Sequence, residues 1–490
     1  MKGRRIIQNV ALVHDKFYTP SSAWKVFVGF AMLVALTGGG SRDDIASLVI
    51  LRPVACLVIG YGILASRESE LKRFATAYYF LVALGIFFML QLLPLPPSLW
   101  KSLPGRDFYM EVALATNTEQ VWRPLSLSPS KTLNSLFSLS IPLAAVSTYA
   151  ALTADDRERA LLLIVLYAIL NAVIGMFQLT GSFGQAFYFY RITSDLSPVG
   201  LFANRNHFAV MLAATLPLMA AFMCSSQTKR WYSKFGRRPL VLAHALFFVV
   251  LVAFSIMIVI SGSRAGVGCL AVSVVGSTYI LRLIQVHDQT SVLKHKVKKY
   301  GVWQYSWSIP LVLVLVAGLA TFAGGRAVAL DRLFSGNTNT TRFDVLPTIL
   351  EMASAFFPVG AGMGAFSTSY YRFERDEFLD ALYLNHAHND WLQVVVEGGA
   401  IAAAFLSFAL IFVMRRLFKL LSHSMLPFHE RCIQLGLIGL VVIIMLASVV
   451  DYPARTPSVM WVLTISLIAL LAGTAKGTNH RSNTPRISRR

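Results

Sequence analysis

Two histidines lie close together in the segment Asn385-His-Ala-His-Asn-Asp390, directly before a long apolar run. An imidazole can take a proton from a hydroxyl group at neutral pH, because its unperturbed pKa is about 6.5. The segment therefore favours acid–base chemistry by an imidazole, His386 or His388, with Asn389 and Asp390 beside them as candidates to contact a substrate. A metal pair and purely structural hydrogen bonding remain alternatives, although no third metal ligand stands at a suitable spacing.

Two short polar segments each place an arginine at the end of an apolar run. Arg205 falls in Asn204-Arg-Asn-His207, at a predicted helix start whose backbone N–H groups also attract anions. Arg264 falls in Ser261-Gly-Ser-Arg-Ala-Gly266, where Gly262 and Gly266 allow a tight turn. Arginine stays charged and can bind a phosphate group through two parallel hydrogen bonds. A polar helix cap at the first segment and an internal carboxylate partner for Arg264 remain alternatives.

Two further arginines lie in predicted loops. Arg342 precedes a predicted amphipathic helix, and it points either to the same site or to Asp344 or Glu351. Arg191 stands in a loop short enough to reach the site. The glycine-rich segment 360–366 lacks the Lys-Ser/Thr pair of a phosphate loop, so it predicts a close approach of backbone or ligand rather than nucleotide binding.

The elements that must position these residues are membrane-spanning helices. Of the 490 residues 56% are apolar and 14% charged, and the mean hydropathy is +0.60. Soluble domains have about 25% charged residues, so this composition excludes a soluble, disordered or disulfide-stapled protein. Four cysteines without metal-ligand spacing predict buried free thiols. The fold class is an all-α integral membrane protein with about 12 spans, which begin near Trp24, Ile45, Phe74, Thr132, Ala160, His207, Leu240, Gly266, Ile309, Trp391, Ile433 and Ser458.

Lysine and arginine are densest in the segments that lie inside when both termini are cytoplasmic, which predicts an N-in/C-in topology. The predicted divisions are a cytoplasmic segment at 1–23, a polytopic membrane domain at 24–473 and a basic cytoplasmic tail at 474–490. Two long loops, at 94–131 and 324–390, then face the periplasm. The second loop is helical and carries the histidines. The net charge of +20 is explained by membrane lipids rather than by nucleic acid.

Arginines and a histidine that converge at one membrane boundary suit a lipid diphosphate. The arginines would hold the anion and stabilise it as it leaves, while the histidine activates an attacking hydroxyl. The chain has no Asp-x-Asp metal motif and no hydrolase-type carboxylate pair. These residues favour direct glycan transfer without a metal.

At these motifs the chain resembles the O-antigen ligase family, which includes related surface-polysaccharide polymerases. The resemblance runs from about residue 20 to 475 in the order and topology of the motifs. It rests on the following pieces: Pro94-Leu-Pro-Pro97, Asn204-Arg-Asn-His207, Ser263-Arg-Ala-Gly266, Gly360-x-Gly-x-Gly364, His386-Ala-His-Asn-Asp390 and Glu397-Gly-Gly399.

The resemblance implies a metal-independent, inverting glycosyltransferase of the bacterial inner membrane, without a cofactor and with its site facing the periplasm. His388, followed by Asn389 and Gly399, matches the family's base. Arg264 and Arg342 match its catalytic arginines, and Arg205 matches a further one. The donor would be a glycan on undecaprenyl diphosphate, held by these arginines.

Several functions share this site. A ligase, which the motif order favours, transfers the glycan to lipid A–core, whereas a polymerase transfers it to another lipid-linked repeat unit. A protein oligosaccharyltransferase is a third possibility. A non-enzymatic transporter of a lipid-linked glycan would explain the arginines without His388, although the internal symmetry common in transporters is not evident.

Overall fold

The computed structural model describes residues 20–180, 186–194, 197–224, 238–290, 344–378, 384–422 and 426–472. Within these residues the chain is almost entirely helical. The sheet that they contain has two antiparallel strands, β1 (Pro94–Leu95) and β2 (Arg123–Pro124). The all-α membrane fold is confirmed.

Nine helices lie in the first part of the described chain, and several of them are too short to cross a membrane. They are α1 Pro20–Thr37, α2 Leu48–Ala65, α3 Glu68–Arg73, α4 Ala75–Leu92, α5 Pro97–Lys101, α6 Asp107–Ala115, α7 Pro129–Ser138, α8 Ser140–Ala150 and α9 Ala154–Thr180.

The second part contains the longest helix of the described chain, α15, and two 3-10 turns, at Asp376–Phe378 and Pro453–Arg455. Its helices are α10 Arg205–Phe222, α11 Arg238–Ile260, α12 Arg264–Thr290, α13 Leu346–Phe356, α14 Phe366–Tyr370, α15 Asp390–Ser422, α16 Phe428–Ala447 and α17 Pro457–Ala472.

Eight stretches of the described chain are long and apolar enough to cross a membrane, the consecutive helices α7 and α8 forming one of them. Helices α11 and α17 contain shorter apolar stretches. Every span predicted from the sequence falls on a described helix except the one near Ile309, which lies outside the described residues. The number of spans and their orientation stay predictions.

Helix α10 is the centre of the bundle. All of its residues from Asn206 to Phe222 are buried, because α9, α11, α12 and α16 surround it. Two glycines of α16 allow the closest approach: a Cβ at Gly436 or Gly439 would meet Pro217 at 2.9 Å or 2.8 Å. A helix enclosed in this way presents its N-terminal polar residues at a fixed place.

The glycine-rich segment makes the predicted close approach with backbone. Its three glycines have φ values of 91°, 107° and 83°, which side chains rarely allow. The Gly362 N–H donates to the Glu397 carbonyl at 2.8 Å, and a Cβ at Gly360 would meet the same oxygen at 2.5 Å. Helix α15 bends there, since Gly399 has φ 57° and ψ −145°. The segment is thus clamped onto the first turns of α15.

A buried arginine joins the first long loop to this segment. Arg106 is 0% exposed and donates to the carbonyls of Leu125 at 2.6 Å and Gly360 at 3.4 Å. Its guanidinium lies 5.7 Å from the Trp100 ring and 5.8 Å from the Phe356 ring. Burial lowers the pKa of Arg106 to about 10, so it stays charged at neutral pH. The two loops therefore pack together.

Two local predictions are wrong. Gly266 lies inside α12 rather than in the turn, and a Cβ there would meet the Ala209 Cβ at 2.4 Å. Its missing side chain therefore serves helix packing, whereas Gly262, with φ 66°, makes the turn as predicted. Cys56 is exposed on α2, while the other three cysteines are buried free thiols as expected.

Candidate active site

His388 lies just before α15 in an unusual backbone conformation. Its φ is 49°, a value uncommon for a residue with a side chain and often found at functional sites. Its Nδ1 lies 3.4 Å from Asp451 Oδ1. The carboxylate side chain is 0% exposed, whereas that of His388 is 21% exposed. The imidazole thus lies between a buried anion and open space.

Asp451 follows the C-terminus of α16 and is oriented by several donors. Its Oδ2 accepts from Asn206 Nδ2 at 2.7 Å, and its Oδ1 accepts from the Tyr452 N–H at 3.0 Å. His207 Nε2 lies 3.9 Å from the same Oδ1. A carboxylate fixed in this way favours the proton of His388 on Nδ1 and leaves Nε2 to accept another. The pair can act as a general base with its orienting group.

The ring of Tyr452 lies among three imidazoles. Its centroid is 4.5 Å from that of His386, 4.9 Å from that of His388 and 5.1 Å from that of His207. The Tyr452 ring therefore lies between three imidazoles that could otherwise coordinate one metal ion. In the part of the chain that the structure describes, no three His, Cys, Asp or Glu residues are placed to hold a metal.

His386 is half-buried beside this cluster. Its Nδ1 lies 3.3 Å from Gln393 Nε2, and its buried Nε2 has no hydrogen-bond partner among the described residues. Burial, followed by the positive charge of Arg455, lowers the pKa of His386 well below its usual value. His386 is therefore neutral at neutral pH.

Asp390 and Glu397 share a mostly buried arginine. Arg455 Nε donates to Asp390 Oδ1 at 3.1 Å, and Arg455 Nη2 donates to Glu397 Oε2 at 3.3 Å. Asp390 Oδ2 also accepts from Ser448 Oγ at 3.0 Å and from the Ala454 N–H at 3.3 Å. Burial disfavours the charged guanidinium, but Glu397 and Asp390 outweigh it and raise the pKa of Arg455. This network ties the start of α15 to the turn before α17.

Asn389 and Gln393 hold the backbone that carries the histidines. Asn389 Oδ1 accepts from the Leu392 N–H at 3.0 Å, a typical N-cap contact. Gln393 Oε1 accepts from the Ala387 N–H at 2.9 Å, and its Nε2 donates to Glu397 Oε1 at 2.8 Å. The described contacts of Asn389, like those of Asp390, are made with protein groups.

A cleft opens beside His386. Its titratable lining comprises four basic side chains, two acidic ones and one imidazole. Polar residues of α7 and of the loop before α2 complete it. The residues that bear on the chemistry are Arg42, Asp43, Arg52, Lys131, Asn134, Ser135, Ser138, His386, Gln393, Glu397 and Arg455.

Arg205 and Arg264 are the first residues of α10 and α12, two helices that pack side by side. Arg205 is half-buried, and the next residue, Asn206, bonds the carboxylate that faces His388. Arg264 is exposed, and neither arginine lines the cleft. Arg205 is therefore connected to the His388–Asp451 pair through its neighbour Asn206.

The remaining predicted arginines are placed less centrally. Arg191 is exposed beside the loop before α2, since the Tyr190 hydroxyl accepts from the Gly39 N–H at 2.7 Å. A hydrogen bond from Arg42 is the main cause that lowers the pKa of Asp44, and the positive charge of Arg191 lowers it further. Arg342 lies outside the described residues.

Three participants were absent from the site predicted by sequence: Asp451, Arg455 and the inward-facing Arg52. A signal did exist for the first two. Both fall in the short segment Asp451-Tyr-Pro-Ala-Arg455 between the last two apolar runs, and charges at a membrane boundary mark functional candidates.

This arrangement defines a class: a polytopic helical membrane protein with a candidate acid–base site where several helix ends meet. Residues 248–407 match the Wzy_C family, described as O-antigen ligase. The matched segment includes Arg264 and His388 but not Asp451, and the match agrees with the resemblance that the motifs indicated. No curated protein matches the chain.

The family gives the chain an enzymatic role as a ligase or polymerase of polysaccharide synthesis. Such proteins take a lipid-linked glycan donor and a polysaccharide acceptor in the membrane.

Proposed function

We propose that the protein is a membrane glycosyltransferase of O-antigen ligase type, acting at the periplasmic face of the bacterial inner membrane. It transfers a glycan from undecaprenyl diphosphate to a sugar hydroxyl of lipid A–core. The observation that carries this proposal is the contact of His388 with the buried carboxylate of Asp451, inside a family of polysaccharide ligases and polymerases.

His388 acts as the general base. Its Nε2 takes the proton of the acceptor hydroxyl while that oxygen forms a bond to the anomeric carbon of the donor sugar. The bond between this carbon and the diphosphate oxygen breaks, and its electron pair leaves on the diphosphate. A single displacement of this kind inverts the anomeric configuration. Asp451 stabilises the imidazolium that forms.

Arginines stabilise the leaving diphosphate. Arg205 and Arg264 stand at neighbouring helix N-termini, where the guanidinium groups and the helix dipoles favour an anion. The N–H groups of Asn206 and Gly266 are capped by Asn204 and Ser263, so the guanidinium groups supply the hydrogen bonds in the proposal. Arg342 and Arg191 complete this set in the proposal. The charge they supply at the leaving group is the contribution that a metal ion would otherwise make, so we propose a metal-independent reaction.

The other predicted residues support the loop and the substrate. His386 lines the cleft, where in the proposal its neutral side chain contacts a sugar of the substrate. Asn389 caps α15 and Asp390 binds Arg455. In the proposal, Asn389 and Asp390 contact substrate while they keep these positions.

A transfer assay tests the proposal. Purified protein in lipid nanodiscs receives undecaprenyl-diphosphate glycan without metal, and lipid A–core and a second lipid-linked unit are offered as separate acceptors. Wild type is compared with His388→Ala and with the control His429→Ala, which lies at the opposite end of α16 from Asp451. Folding and carrier binding are measured for all three.

Glycan on lipid A–core, abolished in His388→Ala and kept in the control, supports the ligase. Growth of the glycan on the carrier, with the same dependence on His388, replaces the ligase by the polymerase. If wild type forms neither product but moves the carrier across the membrane of vesicles, the catalytic proposal is overturned and the transporter is favoured.

A further inference from the structure

Arg52 is a charged residue within a candidate membrane span, yet it lines the cleft. Arg52 lies near the start of this span, and an arginine inside a span usually faces a cavity or reaches toward the membrane boundary. Its Nη2 donates to the backbone carbonyl of Asn134 at 3.3 Å, and its buried Nε has no hydrogen-bond partner among the described residues. Asp43 is the carboxylate that interacts with it electrostatically, but no direct ion pair joins the two among the described residues. Arg52 therefore has an Nε donor that no described group accepts.

Helix α7 presents a polar face to the same space. Lys131, Asn134, Ser135 and Ser138 all line the cleft, and their spacing of three, four and seven residues places them on one side of a helix. Lys131 Nζ lies 3.3 Å from Asp43 Oδ2 and 3.1 Å from Ser367 Oγ. A polar face turned toward a cleft at a membrane span is suited to a hydrophilic ligand.

The charges in the cleft are unevenly distributed. Where α2 and α7 meet, the lining includes Arg42, Arg52, Lys131 and Asp43. Arg42 is paired with Asp44 and Lys131 with Asp43, so Arg52 adds a positive charge beyond these two pairs. At the start of α15, Arg455 is instead paired with two carboxylates. An anion is therefore favoured at the first end, while neutral hydroxyl groups are favoured at the second.

We infer that Arg52 and Lys131 bind a phosphate or diphosphate group of a glycan lipid, whose sugar then extends toward His386 and Gln393. Arg205 and Arg264 do not line this cleft, so it holds a second group of cations for the reaction. The inference rests on the proposed function, since the phosphate belongs either to the carrier of the donor or to the acceptor.

Binding of undecaprenyl diphosphate in phosphatidylcholine nanodiscs is the first measurement, because it needs no turnover. The variants are Arg52→Gln, Arg52→Lys and the control Lys72→Gln, which removes an exposed cation on α3. The second measurement is KM for lipid A–core with and without its core phosphates. Monodispersity and Tm show that each variant is folded.

Because Arg52→Gln removes one charge-assisted hydrogen bond to the phosphate, affinity should fall about tenfold. A tenfold higher Kd for undecaprenyl diphosphate, partly restored in Arg52→Lys and unchanged in the control, assigns the site to the carrier. An unchanged Kd with a tenfold higher KM for phosphorylated acceptor alone assigns it to the acceptor. Folded Arg52→Gln protein that changes neither value overturns the inference. If wild type shows no transferase activity, the Kd for lipid A–core with and without its core phosphates takes the place of KM in this comparison.

Discussion

Replacement of Asp451 by asparagine tests the site most directly, because it removes one charge and keeps the shape of the side chain. The carboxylate lies 3.4 Å from His388 Nδ1, and two unit charges at that distance attract by about 5 kcal/mol at an effective dielectric constant of about 20. One fifth of the His388 side chain is exposed, so solvent screens part of this attraction. We expect kcat to fall about 10²-fold, equivalent to about 2.7 kcal/mol.

The assay is glycan transfer in nanodiscs, with kcat and the KM of the donor measured separately. Since Asp451 does not touch the donor in the proposed mechanism, KM should stay within about threefold of the wild-type value. Asp376→Asn, an exposed carboxylate of the large loop, is the matched control. Tm and donor binding verify that the buried substitution leaves the protein folded.

A double variant decides whether Asp451 acts through His388. Groups that work as a unit are strongly non-additive, so Asp451→Asn should cost nothing further in the His388→Ala background. Equal costs in both backgrounds, or full activity of Asp451→Asn, would refute the orienting role.

Three further predictions follow from the structure. Arg264→Ala should raise the Kd for undecaprenyl diphosphate about tenfold, and an unchanged Kd would remove Arg264 from the donor site. Gly399→Ala should lower Tm, because a φ of 57° costs about 1–3 kcal/mol for a residue with a side chain. The added Cβ would also meet the Pro358 carbonyl oxygen at 2.1 Å. The control Gly60→Ala should keep Tm, because a Cβ at Gly60 meets nothing within 4 Å. Folding lowers the pKa of His386 below its unfolded value of 6.5. The free energy of unfolding should therefore fall as pH drops below 6.5, by up to about 1.4 kcal/mol per pH unit. His386→Gln should show a flatter dependence of Tm on pH than wild type, and identical curves would contradict this.

Hydropathy was enough to predict the membrane helices, because each helix that spans a membrane needs a long apolar run, whichever helices pack against it. The start of α10 at Arg205 and the turn at Gly262 could likewise be predicted, since helix caps and positive φ values depend on local residue types. Gly266 could not, because its role depends on Ala209 of another helix.

The contacts between partners in the site could not be predicted for the same reason, although Asp451 and Arg455 fall in a charged segment at a membrane boundary. Asp451 meets His388 from the far end of α16, a separation along the chain that no local pattern encodes. Arg52 could be identified in the sequence as a costly charge within a span, but only the packing of α2 against its neighbours places it in the cleft. Spacing predicts which residues share a helix face, whereas contacts between helices depend on the whole bundle.

Hydrogen bonds and ion pairs join the motifs to one another, in addition to their roles in the proposed chemistry. The glycine-rich segment bonds the Glu397 carbonyl, the Glu397 side chain binds Arg455, and Arg455 binds Asp390 at the start of α15. His388 stands two residues before that start with a strained φ of 49°. Strain of this kind persists only where surrounding contacts impose it. The glycines and carboxylates therefore hold the backbone that carries the imidazole, and in the proposed mechanism they orient it toward the acceptor without contacting substrate.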